Sequence, residues 1–163
     1  MKNLEIERKF LIRYPDTEYI ESIKDCKKVI IDQTYLKDKT RIRSWSENGK
    51  TTYIKTKKEN INELIRIEKE SEISEIEYTA LMVDKDPDRN TISKIRYRFP
   101  FSGKLIEIDI FPFWNDRAFL EIELESQEDD YQIPPFIKVI KEVTFDLRYR
   151  NSALAKEIPK DKI

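Results

Sequence analysis

Along most of the chain, apolar and charged residues take turns at every second position, the period of a strand that lays one face on a core. Eight segments carry the pattern: 4–12, 28–37, 40–47, 51–58, 64–73, 90–99, 103–111 and 118–125. Asn48-Gly49 lies between two of them and suits a two-residue type I′ hairpin, in which both central residues need positive φ. Ser102-Gly103 predicts a second tight reversal. Elsewhere the period changes. Residues 16–26 follow Pro15 with apolar spacing near 3.6 and Asp16 as N-cap, and Ser74 with Glu77 makes a capping-box pattern ahead of a helix over 75–84. Pro134 to Ile140 predicts a short helix started by proline, and 150–157 another. Eight strands, few helices, short turns and no Pro-, Ser- or Gly-rich linker predict one mainly β domain over 1–163, an antiparallel barrel or sandwich.

Residues two apart on a strand share a face, and one face of nearly every segment is charged. It carries nine acids (Glu5, Glu7, Glu68, Glu70, Glu107, Asp109, Glu121, Glu123, Glu125) and nine bases (Lys9, Arg41, Arg43, Lys55, Lys57, Arg66, Lys94, Arg96, Arg98), with Gln33, Tyr35 and Tyr53 beside them. The opposite face is Leu4, Ile6, Ile42, Ile54, Ile65, Ile67, Ile95, Tyr97, Ile106, Ile108, Ile110, Leu120, Ile122 and Leu124. Two readings follow. An antiparallel sheet commonly keeps one face in water, and charges alternating with Ile are then a solvated surface. Against this, the charged face has hardly any Ser, Thr or Asn, and its acids cluster in the first segment and the last two. Like charges so close repel unless cations intervene. Turned inward, that face gives an acidic wall suited to hard divalent ions and a basic wall suited to phosphates.

Composition narrows the chemistry. The chain has no histidine, which removes Ser-His-Asp and Cys-His catalysis, HExxH zinc sites and imidazole bases. Its two glycines, Gly49 and Gly103, lie too far apart for a GxGxxG or GxxxxGK loop, so phosphate recognition falls to Lys and Arg. The single cysteine, Cys26, rules out a disulfide framework and a thiolate metal cluster and reads as an incidental thiol. Lys plus Arg (31) and Asp plus Glu (32) nearly cancel, so no overall field favours nucleic acid or an anionic membrane. With no apolar h-region at the N-terminus and no run of 18 apolar residues, a cytoplasmic protein is expected.

Glu5-Ile6-Glu7-Arg8-Lys9-Phe10 resembles the ExExK signature of the CYTH superfamily, the triphosphate tunnel metalloenzymes, and further family motifs follow in order. Gln33-Thr34-Tyr35-Leu36 is similar to QxYL, Arg41-Ile42-Arg43 to RxR, and Tyr53 to Lys57 to the strand that ends in a substrate lysine. Arg66 to Glu70 is similar to RxExE, Lys94 to Tyr97 to KxRY, Glu107-Ile108-Asp109 to ExD and Glu121 to Glu125 to ExExE. Lys141 to Ala155 is similar to KEVTxDxRYxNxxLA. The resemblance implies an eight-stranded antiparallel closed β-barrel with a charged interior, which hydrolyses or rearranges triphosphates with Mg²⁺ or Mn²⁺. By motif, it implies that Glu5, Glu7, Glu121 and Glu123 hold metal. Glu107 and Asp109 contribute to a second ion or accept a proton from its water. It implies that Arg41, Arg43, Lys57, Lys94 and Arg96 bind phosphates, that Lys9 stands between the first-strand acids and the substrate, and that Arg66 and Glu68 orient the bases. Lys55 stands where the family has threonine, so it is either an extra phosphate ligand or the mark of a changed register, with Lys57 preferred. The loop Phe113 to Arg117 lacks the glycine usual there, which reshapes one tunnel mouth. The expected partner is a small-molecule triphosphate, with neither nucleic acid nor membrane and with a homodimer left open. A class IV adenylyl cyclase and a non-catalytic polyphosphate-binding module are the alternatives to a triphosphatase.

Overall fold

In the computed structural model, which describes residues 3–62 and 64–163, the eight alternating segments become β1 (Asn3–Arg13), β2 (Lys27–Tyr35), β3 (Arg41–Glu47), β4 (Lys50–Asn60), β5 (Ile65–Ile73), β6 (Ile92–Phe101), β7 (Lys104–Ile110) and β8 (Arg117–Glu123). All neighbours are antiparallel, in the ring order β1-β8-β7-β6-β2-β3-β4-β5. β5 returns to β1 from Asn3↔Glu68 to Ile6↔Ile65 and closes the barrel. Both expected reversals take the type I′ form. Asn48 and Gly49 have φ of 53° and 76°, and Ser102 and Gly103 have 51° and 75°.

The outer side of β1, β6, β7 and β8 explains why the charged face turns inward. Ile6, Phe10, Ile12, Ile106, Ile108, Leu120 and Ile122 are buried there against Ile20 of α1 (Thr17–Glu21) and against Tyr131, Ile133, Phe136 and Ile137. An apolar face covered from outside leaves the alternate positions only the barrel interior. The solvated-face reading is therefore overturned.

Three expected helices come out differently. α1 is capped as expected, with Asp16 Oδ1 accepting from the Tyr19 amide at 3.2 Å, but ends at Glu21 rather than 26. Asp25 then takes a left-handed φ of 63° to redirect the chain into β2. The segment after Pro134 makes one turn, with the Ile137 amide donating to the Pro134 carbonyl, and becomes a ninth strand, β9 (Val139–Glu142). β9 pairs with Phe10 to Ile12, beyond the point where β5 leaves β1, and so satisfies backbone groups that would otherwise lie unpaired. Val139 and Ile140 are β-branched and suit that role better than a helix. α2 (Glu75–Leu81) keeps its Ser74 cap at 3.1 Å, and the last expected helix shrinks to α3 (Asn151–Leu154).

The inward face does not stay charged along the whole barrel. Two residues past Lys9 stands Leu11; two past Asp109, Phe111; two before Glu121, Phe119; two before Lys94, Ile92. These join Tyr35, Trp114, Val143, Tyr149, Leu154 and Ala155 in a second apolar cluster, in which Leu11, Phe119 and Tyr149 are fully buried. Packed rings and aliphatics thus stopper one end of the barrel on the side of β1, β6, β7 and β8, while Arg41, Thr56, Lys58, Asn60 and Arg66 keep the β3–β5 side polar.

Candidate functional site

On β3, Arg41 and Arg43 enter the barrel and are almost wholly buried. Their cross-strand partners on β4 are Thr56 and Ile54, and directly opposed residues share a face. β4 therefore turns Ile54, Thr56 and Lys58 inward, and Lys55 and Lys57 lie outside. Lys55 reaches Glu77 of α2 at 3.8 Å. This corrects the expected placement of both lysines and of Ile54. β5 sets Glu70, Glu68 and Arg66 opposite Thr56, Lys58 and Asn60, on the same inner face. Arg41 meets Glu68 at 3.2 Å, Arg43 meets Glu70 at 3.4 Å, and Lys58 lies 3.9 Å from both Glu5 and Glu68.

Positive charge is crowded on this side. Burial, then the charges of Arg41 and Arg96, push Arg43 down to about 9, and burial, then Arg41, carries Lys58 to about 8. The Nε atoms of Arg41 and Arg43, the Thr56 hydroxyl and both amide atoms of Gln33 are buried without a hydrogen-bond partner among the described residues. Buried donors of this kind are uncommon in folded proteins, and cationic ones grip phosphate oxygens well.

The facing wall is acidic. Glu7 of β1 stands directly opposite Glu123 of β8, and Lys9 opposite Glu121, which in turn faces Glu107 of β7. Burial and the charges of Glu121 and Glu5 raise Glu7 well above the ordinary carboxylate range. Burial and the charges of Glu107 and Glu5 carry Glu123 to about 7. Glu5 and Glu68 share a hydrogen bond. Burial and that bond lift Glu68 to about 7; burial works against ionising Glu5 too, but Lys58 and the bond keep it low. The crowding of carboxyls thus raises Glu7, Glu68 and Glu123 and leaves Glu5 the more acidic.

Asp109 and Lys94 are deeper. Arg96 grips both Asp109 oxygens, at 2.8 and 2.9 Å, and the Lys94 ammonium reaches the same carboxylate at 2.9 Å. With Lys94 at 0% and Asp109 at 1% exposure, this trio braces β6 against β7 just above the stopper. Burial works against the charge on Asp109, but the two cations hold its pKa far down; burial takes Lys94 to about 7. Arg96 also faces Glu107 at 3.5 Å, and Arg98 donates to Glu107 at 2.8 Å.

Between the walls lies a cavity of about 650 Å³. The structure brings Glu5, Glu7, Lys9, Arg41, Arg43, Arg66, Arg96, Glu107, Glu121 and Glu123 together on its lining, keeps Lys94 and Asp109 behind it, and leaves Lys55 and Lys57 outside. Lining residues missing from the expected site are Lys58, Arg98, Lys39, Arg89, Arg150 and the stretch Tyr149 to Ser152. Arg98 was legible, since it continues the parity of Lys94 and Arg96. Lys58 was not, because only the β3–β4 register selects it. Among the described residues no three carboxylates yet stand at metal-binding geometry. The donor set nevertheless fits a hard divalent cation, being all oxygen and crowded.

No family model matches the chain. It is 33% identical over 157 residues to a protein named inorganic triphosphatase from Acetivibrio thermocellus, covering 93% of both chains. Among solved structures it is similar to the inorganic triphosphatase NE1496, with 29% identity, a TM-score of 0.58, and 95% of this chain and 96% of that one covered. A putative adenylate cyclase from Bacillus halodurans shares the fold alone, at 15% identity and a TM-score of 0.53 over 78% of this chain and 83% of that one.

Proposed function

The chain belongs to the CYTH superfamily of triphosphate tunnel enzymes, and on that premise we propose that it is a divalent-metal-dependent hydrolase of inorganic tripolyphosphate. The observation that carries this reading is the pairing, across one 650 Å³ cavity, of a wall of convergent carboxyls with a wall of crowded guanidinium and ammonium groups, on which the Nε atoms of Arg41 and Arg43 lack a partner among the described residues. Such a cavity matches an anion that arrives with its own cations. Arg41 and Arg43 offer planar forks to phosphate oxygens, and Lys58 supplies a compact positive charge beside them. Glu5, Glu7, Glu121 and Glu123 would hold Mg²⁺ or Mn²⁺, with Glu107 beside them. When bound, the ion supplies neutralisation of phosphate charge and activation of a water. Lys9, 3.7 Å from Glu121, stands between the acids and the substrate. Asp109 holds Arg96 in place rather than offering a free oxygen. Phosphoryl transfer asks mainly for positioning and charge stabilisation, which such a set provides without histidine.

The test is incubation with tripolyphosphate, ATP or thiamine triphosphate and Mg²⁺ or Mn²⁺, reading free phosphate and cyclic AMP. Phosphate release that is fastest from tripolyphosphate and lost with chelator is expected. Cyclic AMP from ATP would reassign the protein as a cyclase, and tight binding without turnover as a polyphosphate-binding module.

A further inference from the structure

One carboxylate in the tail after α3 gathers the chain around the stoppered end. Asp161 Oδ2 accepts from Lys141 Nζ at 2.8 Å, from the Tyr149 hydroxyl at 2.7 Å and from Arg148 Nη2 at 3.0 Å. Its Oδ1 takes Arg148 Nη1 at 3.1 Å, and its backbone carbonyl takes Arg117 Nη1 at 2.6 Å. The tail is thereby tied to β8, to β9 and to the 3₁₀ turn Leu147–Tyr149 at once. Tyr149 passes the restraint inward. Its ring is fully buried in the stopper, and its carbonyl accepts from Lys9 Nζ at 2.8 Å. Lys9 stands among the convergent acids of β1 and β8, 3.7 Å from Glu121, and Tyr149 lines the cavity beside it.

We propose that Asp161 is a positioning residue for Lys9: the tail acts as a latch that fixes Tyr149, and the Tyr149 carbonyl fixes the ammonium at the inner end of the tunnel. The proposal rests on the triphosphatase reading, in which Lys9 faces the substrate. A lysine stem has several rotatable bonds, so without an acceptor at a fixed place its ammonium would be spread over many positions. Misplacing a charge in a reacting site by about 1 Å is enough to cost up to roughly a hundredfold in rate. Asp161 itself touches no substrate, and its effect belongs in the rate of the bound complex rather than in binding.

The experiment compares Asp161→Asn, Asp161→Glu, Tyr149→Phe and, as a control, Asp129→Asn, a half-buried carboxylate paired with Lys104 outside the cavity. Phosphate release from tripolyphosphate with Mn²⁺ is measured as kcat and KM separately, and hydrogen exchange is followed at the Tyr149 and Leu154 amides. Asp161→Asn and Tyr149→Phe should each lower kcat roughly tenfold with KM changed less than about twofold. Asp161→Glu should recover much of the loss, and Asp129→Asn should match the parent. Unchanged kcat in Asp161→Asn, or an equal loss in Asp129→Asn, overturns the proposal. If the parent releases no phosphate, the triphosphatase reading fails and the latch is judged by exchange alone. In that case faster exchange at Tyr149 and Leu154 in Asp161→Asn upholds the latch, and parent-like rates sink it.

Discussion

Replacing Glu123 by glutamine asks whether the acidic wall stores repulsion. Glu123 faces Glu7 across the β1–β8 ladder, and burial with the charges of Glu107 and Glu5 raises it from an ordinary 4.5 to about 7. For an acid raised in the folded state, the native protein binds a proton that the unfolded chain has already released between those two values. Stability therefore falls as pH rises from 4.5 through 7, and the full penalty is present above 7. In a dry site that interval corresponds to roughly 3 kcal/mol. Glu123 ends β8 in contact with solvent, and screening brings the figure to about 1 kcal/mol. Glutamine keeps the shape and removes the charge. With chelator at pH 8, Glu123→Gln should melt about 2–4 °C above the parent, a shift expected from ~1 kcal/mol in a chain of this size. At pH 4.5 the difference should vanish, because both proteins then carry an uncharged group there. Added Mn²⁺ should raise the parent's Tm more than the variant's, since an ion stabilises only through its affinity for the folded state. Thermal unfolding at two pH values, with and without metal, reads all of this. Equal melting at both pH values, or a variant that gains as much from Mn²⁺ as the parent, would refute the stored repulsion.

Two further substitutions separate the walls from their supports. Lys58→Met should cost at least about tenfold in kcat/KM for tripolyphosphate while Lys57→Met leaves it within about twofold, a phosphate-release comparison that reads the β4 register directly. Asp109→Asn should destabilise by about 3–5 kcal/mol at pH 7, because it leaves Arg96 and Lys94 buried against a neutral group. Urea unfolding measures it. Since the folded-state pKa of Asp109 is depressed, the stability it gives is present above an ordinary aspartate's range and is lost on acidification, so the gap from the parent should narrow toward pH 3.

Much of the barrel could be read from parity alone, because strands such as β1, β6 and β8 allow one assignment: Glu5, Glu7 and Lys9 against Leu4, Ile6 and Phe10. β4 allowed two. In Ile54-Lys55-Thr56-Lys57-Lys58 lysines fall on both parities, and the pairing of Arg41 with Thr56 decides between them. That information lies in a neighbouring strand and not in the segment. Pro134 misled for a related reason: a proline followed by apolar residues fits a helix start locally, while the unpaired edge of β1 recruits Val139 to Glu142 as a strand. The stopper was latent in the same alternation, one step past Lys9 and Asp109, but its closure required Tyr149 and Leu154 to fold back from a distant stretch of chain.

That stopper makes the interior lopsided. Leu11, Phe111, Phe119, Tyr149 and Leu154 pack on one side of that end, and Lys58, Asn60, Arg66 and Arg89 line the cavity on the other. On the apolar side the Lys9 ammonium lies 4.0 Å from the centre of the Phe119 ring, where water and mobile ions screen it less, so its pull on a nearby anion is stronger than that of the same group in open solvent.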